Sequence, residues 1–162
     1  MLTTRRAVEA DVPVLEAIVA AAFGIYRDRM DRDPAPMTAD YPALVRAGQV
    51  WVALADDEIL GLVVLVPERE RLWLETVAVR PRAQGSGVGS RLLELAEAEA
   101  LRHHLPAVAL CTNQVMTENL AYYPRRGYRQ THRAQQDGFA RVFFRKDLPF
   151  APVLTRPRAL GR

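Results

Sequence analysis

The sequence predicts one α/β domain, and three observations point to that class. The chain has 162 residues, 49% hydrophobic and 25% charged, a balance typical of folded domains rather than disordered chains. Its apolar residues alternate between strand and helix periods in the order β-α-(α)-β-β-β-α-β-α-β-β. A glycine-rich segment, residues 84–89, separates one strand from the strongest helix pattern. We therefore expect one sheet with helices packed against it.

Composition argues against several classes of protein. No apolar run approaches the roughly 20 residues that a membrane-spanning helix needs, and residues 1–13 lack the apolar segment of a secretory signal. Cys111 is the single cysteine, which excludes an internal disulfide and a cysteine-built zinc site. We expect a cytoplasmic protein with no metal and no membrane partner.

Positive charge is concentrated at the C-terminal end. The formal net charge is +3, yet residues 125–162 hold ten basic residues against two acidic ones. Such a surface suits an anionic partner such as a phosphate-bearing cofactor, and a solvated arginine-rich face explains it equally well. Because the basic residues form no long run and only one is lysine, no nucleic-acid partner is expected.

The first part of the chain predicts a strand, two helices and a polar loop. The strand Leu2–Val8 precedes a helix with Asp11 as its N-cap and Pro13 in its first turn. Residues 28–40 are polar and contain two prolines, so they form a loop and a candidate lid. Residues 41–47 form a short helix.

Three consecutive strands follow, separated by turn residues, and they predict a meander. The strands span residues 49–55, 59–66 and 71–80. Side chains of the third strand should alternate between two faces. One face would carry Leu72, Leu74, Thr76 and Ala78, and the other Trp73, Glu75, Val77 and Val79.

The remaining residues predict two more helices and three more strands. These are a helix over 87–104, a strand over 107–112, a short helix from Thr117 that Pro124 and Gly127 end, and strands over 128–133 and 139–146. The domain is expected to cover residues 1–148, and residues 149–162 are expected to be a C-terminal tail.

The glycine-rich segment predicts a phosphate site. It has the sequence Gln-Gly-Ser-Gly-Val-Gly over residues 84–89 and lies between a strand and a helix start. Glycines let backbone N–H groups approach a ligand, and the helix start adds unpaired donors and a positive dipole end. The spacing differs from the dinucleotide pattern, and the lysine of a Walker loop is absent. A tight turn without a ligand is the alternative.

These motifs resemble the GNAT superfamily of acetyl-CoA-dependent N-acetyltransferases. Residues 84–89 are similar to its pyrophosphate signature Arg/Gln-x-x-Gly-x-Gly/Ala, and TVAVRP at 76–81 resembles the strand before it. TNQVMTENLAYYPRRGY at 112–128 resembles its Asn…Tyr-x-x-x-Gly-Phe/Tyr block, and the chain's opening and closing segments also resemble the family's. The resemblance covers about residues 2–148. It implies the GNAT fold, a mixed, mostly antiparallel twisted sheet flanked by helices and splayed at the acetyl-CoA cleft.

The resemblance also implies an activity and a set of residues. Acetyl-CoA would be the co-substrate, and a primary amine, on a small molecule or a peptide, would attack it directly in a ternary complex. The implied cofactor-binding residues are Val77, Ala78, Val79, Gln84, Gly85, Ser86, Gly87, Val88, Gly89, Ser90 and Asn119. An N–H near Val77 would hold the thioester oxygen. Tyr123 matches the family's general acid, and Glu75 is a candidate base acting through water.

Several alternatives stay open at this stage. Tyr123 could instead pack in the core, with Tyr122 as the acid, and Pro124 would restrict Tyr123 away from helical geometry. Glu75 could be the ion-pair partner of an arginine. The whole chain could be a non-catalytic acyl-CoA sensor on the same fold. The acceptor and the oligomeric state, a homodimer included, are not fixed by the sequence.

Three further expectations concern individual side chains. Cys111, in an apolar strand, is interpreted as a buried hydrophobic residue. Trp51 and Trp73 are interpreted as core residues. Arg82 and Arg91 lie close enough in sequence to the glycine-rich segment to reach a phosphate.

Overall fold

A computed structural model describes residues 1–149 and contains one seven-stranded sheet. The strands are β1 (Thr3–Arg6), β2 (Val50–Ala55), β3 (Glu58–Pro67), β4 (Leu72–Val79), β5 (Ala107–Asn113), β6 (Arg129–Gln136) and β7 (Phe139–Asp147). Their order is β1-β2-β3-β4-β5-β7-β6, and every neighbouring pair is antiparallel except β4 and β5. The predicted mixed, mostly antiparallel sheet is confirmed. The predicted tail at 149–162 lies outside the described residues apart from Pro149.

Four α-helices connect the strands, with short 3₁₀ turns between them. They are α1 (Val12–Phe23), α2 (Tyr41–Arg46), α3 (Val88–Arg102) and α4 (Thr117–Arg125). Asp11 precedes α1 as predicted, but its carboxylate accepts from the N–H of Val8 and from Arg5 rather than capping α1. Among residues 1–149, no helix combines the length and the apolar character that crossing a bilayer requires.

The helices cover the two faces of the sheet and divide the core into two clusters. On one face, α3 buries Leu92 and Ala96 against sheet residues such as Leu110. On the other, α1 buries Leu15 and Ile18 against residues of β2 and β3. Each fully buried aliphatic side chain contributes roughly 1.5–3 kcal/mol, so both layers hold the sheet in a fixed shape.

The end of α4 differs from the prediction. The helix continues through Pro124 to Arg125. Pro124 lies one residue before the end of α4, so any kink that it causes falls at the helix end. The N–H of Tyr128 then donates to the carbonyl of Tyr123 at 3.1 Å and closes the helix end. The backbone of Tyr123 is therefore helical, and the expected restriction by Pro124 is wrong.

Strand β4 contains a β-bulge at Glu75. Val64 of β3 pairs with Thr76, and the next residue, Leu65, pairs with Leu74, which leaves Glu75 without a partner position. A bulge inserts one extra residue into a strand and re-aims the side chains around it.

The bulge reverses the faces of β4. Leu74 packs in the cluster beneath α3, whereas Ala78 packs in the cluster beneath α1, and Val77 contacts the α3 side. The prediction that Leu72, Leu74, Thr76 and Ala78 share one face is therefore wrong. Because the reversal occurs at Glu75, the alternation no longer implies that its carboxylate and Val77 share a face.

Candidate active site

A cleft opens where β4 and β5 separate. The two strands pair only at Leu72 with Val108 and at Trp73 with Ala109. Beyond Trp73 they diverge, which is the predicted splay of the sheet. The cleft continues into a cavity of about 1260 Å³. That volume exceeds the roughly 300–1,000 Å³ of ordinary small-molecule pockets, so the cavity has room for a large cofactor and a second substrate.

The glycine-rich segment forms one end of this cavity, which we call the cofactor end. Gly85 and Gly87 have φ angles of +79° and +95°, values that L side chains rarely adopt. A Cβ at either position would meet no atom within 4 Å, so the space in front of them is open. Helix α3 begins directly after Gly87, and its first N–H groups have no partner within the helix. Open space before unpaired N–H groups suits an anion.

Most of the predicted cofactor-binding residues line the cavity. They are Val77, Ala78, Val79, Gln84, Gly85, Gly87, Gly89, Ser90 and Asn119. Two do not. Val88 is buried in the core beneath α3, and the hydroxyl of Ser86 donates to the carbonyl of Ala83.

The arginines at the cofactor end are not those that the sequence suggested. Arg82 is paired with Glu58, Arg91 lies 3.8 Å from a carboxylate oxygen of Glu94, and neither lines the cavity. Arg125 and Arg126, at the end of α4, do line it. The guanidinium carbon of Arg126 lies 5.2 Å from the ring centroid of Tyr122. The signal that could have identified them was the excess of positive charge after residue 124.

Tyr123 is 5% exposed and lines the cavity between its two ends. Its ring contacts those of Tyr122, Tyr128 and Phe144 at centroid distances of 5.3, 5.9 and 5.6 Å. Burial raises the pKa of the Tyr123 phenol well above its usual value, and the nearby phenol of Tyr122 raises it further. The phenol therefore stays protonated at physiological pH and has a proton available for a hydrogen bond.

Tyr122 also lines the cavity, but it lies at the cofactor end. A Cβ on Gly89 would be 3.0 Å from the Tyr122 hydroxyl oxygen. The two tyrosines therefore occupy different places. Tyr122 lies against the start of α3. Tyr123 lies near Tyr26 and Cys111, and the charged forms of those two residues would also raise the pKa of Tyr123.

The bulged residue Glu75 lines the cavity as well. Its carboxylate accepts a hydrogen bond from the indole N–H of Trp73 at 2.6 Å. Within the described residues, no basic nitrogen lies within 4 Å of it, so the ion-pair alternative is not seen. An unpaired carboxylate in a cleft can bind an ammonium group or accept its proton.

The opposite end, which we call the acceptor end, has a largely apolar wall. Its sheet residues are Trp73, Cys111, Phe139, Arg141 and Phe143. Two interpretations from the sequence are corrected here: Trp73 lines the cavity instead of filling the core, and Cys111 is only partly buried. Trp51 does pack against the core, as expected. Burial raises the pKa of the Cys111 thiol, which disfavours the nucleophilic thiolate.

The segment after α1 forms a roof over the acceptor end. Arg29 makes two hydrogen bonds to the carboxylate of Glu118, at 3.0 and 2.8 Å. Arg32 donates to the carbonyl of Asp137 at 3.0 Å, and its guanidinium carbon lies 4.9 Å from the ring centroid of Phe139. The predicted lid over residues 28–40 thus contacts both α4 and the β6–β7 turn. Pro36 of this loop and Tyr26, just before it, line the cavity.

Comparison with known proteins identifies the same architecture. The model of the acetyltransferase (GNAT) family matches residues 14–128. No curated protein is significantly similar in sequence. PaiA N-acetyltransferase from Thermoplasma acidophilum, solved in complex with coenzyme A, is 14% identical with a TM-score of 0.78, and the match covers 91% of this chain and 99% of that one.

Two other solved structures are similar. The ribosomal-protein-S18-alanine N-acetyltransferase from Escherichia coli is 15% identical with a TM-score of 0.71, and the match covers 96% of this chain and 99% of that one. A GNAT family acetyltransferase from Elizabethkingia anophelis, with acetyl-CoA bound, is 18% identical with a TM-score of 0.68 over 91% of this chain and 98% of that one. At these identities the likeness establishes the fold alone.

Proposed function

Because this chain belongs to the GNAT acetyltransferase family, we propose that it transfers the acetyl group of acetyl-CoA to a primary amine by direct attack in a ternary complex. The observation that carries the proposal is the single cavity that joins the glycine-rich cofactor end to the acceptor end. Two substrates can occupy it at once, with Tyr123 and Glu75 between them. The similar proteins solved with coenzyme A or acetyl-CoA support the same donor.

The cofactor end has groups that suit each part of acetyl-CoA. The N–H groups at the start of α3, opened by Gly85 and Gly87, would bind the pyrophosphate, and Arg125 and Arg126 would add positive charge. Because β5 leaves β4 after Trp73, the backbone of 75–79 is free on that side to hydrogen-bond the pantetheine arm.

Two side chains would handle the protons. At neutral pH the acceptor is mostly an ammonium ion, and the unpaired Glu75 carboxylate would take its proton directly or through water. As the amine nitrogen bonds to the acetyl carbon and the carbon–sulfur bond breaks, the nitrogen would lose its second proton, through water, to the departing thiolate, and the protonated Tyr123 phenol would donate a hydrogen bond to that sulfur. Its high pKa favours hydrogen bonding over full proton transfer to a thiolate, whose conjugate acid has a pKa of about 8.5.

The proposal includes no nucleic-acid partner, because the basic residues form no long run and only one of them is lysine. We place the reaction in the cytoplasm, since a single unpaired cysteine suits a reducing compartment.

The test combines acetyl-CoA with a panel of primary amines, on small molecules and on peptides, and follows CoA thiol release together with the mass of the acetylated amine. We expect an increase of one acetyl group on at least one amine. Calorimetry that finds tight acetyl-CoA binding without turnover on any amine would favour the sensor alternative instead.

A further inference from the structure

Two opposite charges at the acceptor end are not neutralised by each other or by close ion pairs. Of the other charged groups lining the cavity, Arg71 pairs with Glu68 at 2.8 Å and Glu118 with Arg29, Asp40 caps α2, and Arg125 and Arg126 lie at the cofactor end. Glu75 and Arg141 differ. Each lines the cavity, and within the described residues no salt bridge joins them.

Arg141 is a largely buried cation that uses only part of its hydrogen-bonding capacity. Its side chain is 17% exposed, and the nearest carboxylate oxygen, on the well-exposed Asp137, is 4.0 Å away. One of its N–H groups donates to the amide oxygen of Gln136 at 3.1 Å, and its guanidinium carbon lies 5.3 Å from the ring centroid of Phe139. Guanidinium has five N–H donors in a planar fork that matches a carboxylate, so several donors stay available to a ligand.

Glu75 and Arg141 flank one short stretch of wall. Glu75 accepts a hydrogen bond from Trp73, and Arg141 lies two residues before Phe143 on the same face of β7. Both charges act on the pKa of the Cys111 thiol, which Glu75 raises and Arg141 lowers. Cys111 and Phe143 are cross-strand partners on β5 and β7, and Phe143 lies 6.3 Å from Trp73 between ring centroids. The stretch between the two charges is therefore apolar and aromatic.

We propose that the acceptor is an amino acid with an apolar side chain, whose ammonium group faces Glu75, whose carboxylate faces Arg141, and whose side chain packs on Trp73 and Phe143. This proposal rests on the proposed acetyl transfer and names the substrate class of that site. A peptide amino terminus satisfies Glu75 equally well, but it has an amide where the amino acid has its carboxylate.

The experiment compares amines that differ only in that carboxylate. Phenylalanine is set against phenethylamine and phenylalanine amide, and leucine against isoamylamine, at one pH and saturating acetyl-CoA. Because charge-assisted hydrogen bonds contribute about 1.5–3 kcal/mol, we expect kcat/KM to favour each amino acid by about ten- to a hundredfold. Equal or better rates with the amines or the amide would overturn the proposal.

Arg141→Met removes the charge while keeping a long side chain. We expect it to lower kcat/KM for phenylalanine about ten- to a hundredfold more than for phenethylamine. Comparing the phenylalanine-to-phenethylamine ratio of the variant with that of wild type cancels differences in intrinsic amine reactivity. Arg145→Met is the matched control, because Arg145 lies on the same face of β7, pairs with Asp147 and does not line the cavity. An unchanged ratio in Arg141→Met contradicts the proposal.

Calorimetry of phenylalanine with the CoA-loaded protein separates the two levels of inference. Wild-type binding that Arg141→Met weakens supports the zwitterion site even if turnover is slow. If phenylalanine neither binds nor reacts while phenethylamine is acetylated, the zwitterion proposal fails and acetyl transfer stands. If no amine is acetylated although acetyl-CoA binds, acetyl transfer fails, and the binding comparison still decides whether Arg141 holds a carboxylate.

Discussion

The two ends of the cavity are built in different ways. The cofactor end is made mostly of backbone: two glycines with positive φ, the unpaired N–H groups of α3 and the free edge of β4. The acceptor end is made of side chains from β4, β5, β7 and the segment after α1. A backbone site depends on local conformation, whereas a side-chain site depends on how distant strands are registered. Substitutions should therefore affect the two ends in separable ways.

The largest effect is expected at the cofactor end, from Gly87→Glu. The side chain would project a negative charge into the open space where the pyrophosphate would bind, so we expect acetyl-CoA affinity to fall by more than about a hundredfold in calorimetry. Gly48→Glu is the control, since Gly48 also has a positive φ, +70°, with open space around it, but does not line the cavity. Both variants should lose about 1–2 kcal/mol of stability. Equal acetyl-CoA affinity in the two would remove the pyrophosphate assignment.

Tyr123→Phe, between the two ends, should act on rate rather than affinity. Loss of the phenol donor should lower kcat by about ten- to a thousandfold with little change in acetyl-CoA binding. Because the pKa of Tyr123 is raised, the wild-type rate should show no alkaline decline due to this phenol up to about pH 10. Tyr122→Phe serves as the comparison, and a larger loss of kcat in that variant would transfer the role to Tyr122.

Glu75→Gln tests the base and should show a pH-dependent loss. Below the pKa of the amine, the variant should be about ten- to a hundredfold slower than wild type, and the deficit should shrink as pH rises and free amine becomes abundant. Glu70→Gln, an exposed neighbour in the β3–β4 turn, should behave as wild type. Parallel pH profiles for Glu75→Gln and wild type would leave water or the substrate itself as the base.

The smallest effect should come from the arginines of the cofactor end. Arg126→Gln should weaken acetyl-CoA binding about three- to tenfold, and added salt should reduce the difference. Arg82→Gln should leave affinity unchanged, because Arg82 is paired with Glu58 away from the cavity. A larger loss of acetyl-CoA affinity in Arg82→Gln than in Arg126→Gln would instead support the expectation from the sequence that Arg82 reaches a phosphate.

Local signals explain what could be predicted from the sequence. Periodicity, turn residues and the glycine-rich segment each act within a few neighbouring residues. They predicted the strands and the main helices, which the structure confirms, and a glycine turn at the start of α3. The bulge at Glu75 could not be predicted, because it arises from the register of β4 against β3. An uninterrupted alternation therefore assigned the wrong faces to that strand.

The sheet residues of the acceptor end were missed for the same reason, whereas the loop over residues 28–40 was predicted as a candidate lid. Trp73, Arg141 and Phe143 lie on two strands that β5 separates in the sheet, and nothing in their sequence spacing joins them. Trp73 was interpreted as a core residue because tryptophan side chains are usually buried. It lines the cavity because it is the last residue of β4 that pairs with β5 before the two strands diverge, and only the fold determines that position.

Initial-velocity kinetics with both substrates varied test the central claim most directly, because that claim requires the two ends of one cavity to be occupied together. With acetyl-CoA and a good amine acceptor, double-reciprocal plots should intersect, and Cys111→Ser should preserve that pattern. Parallel lines, together with an acetyl group detected on the protein in the absence of amine, would contradict direct attack in a ternary complex.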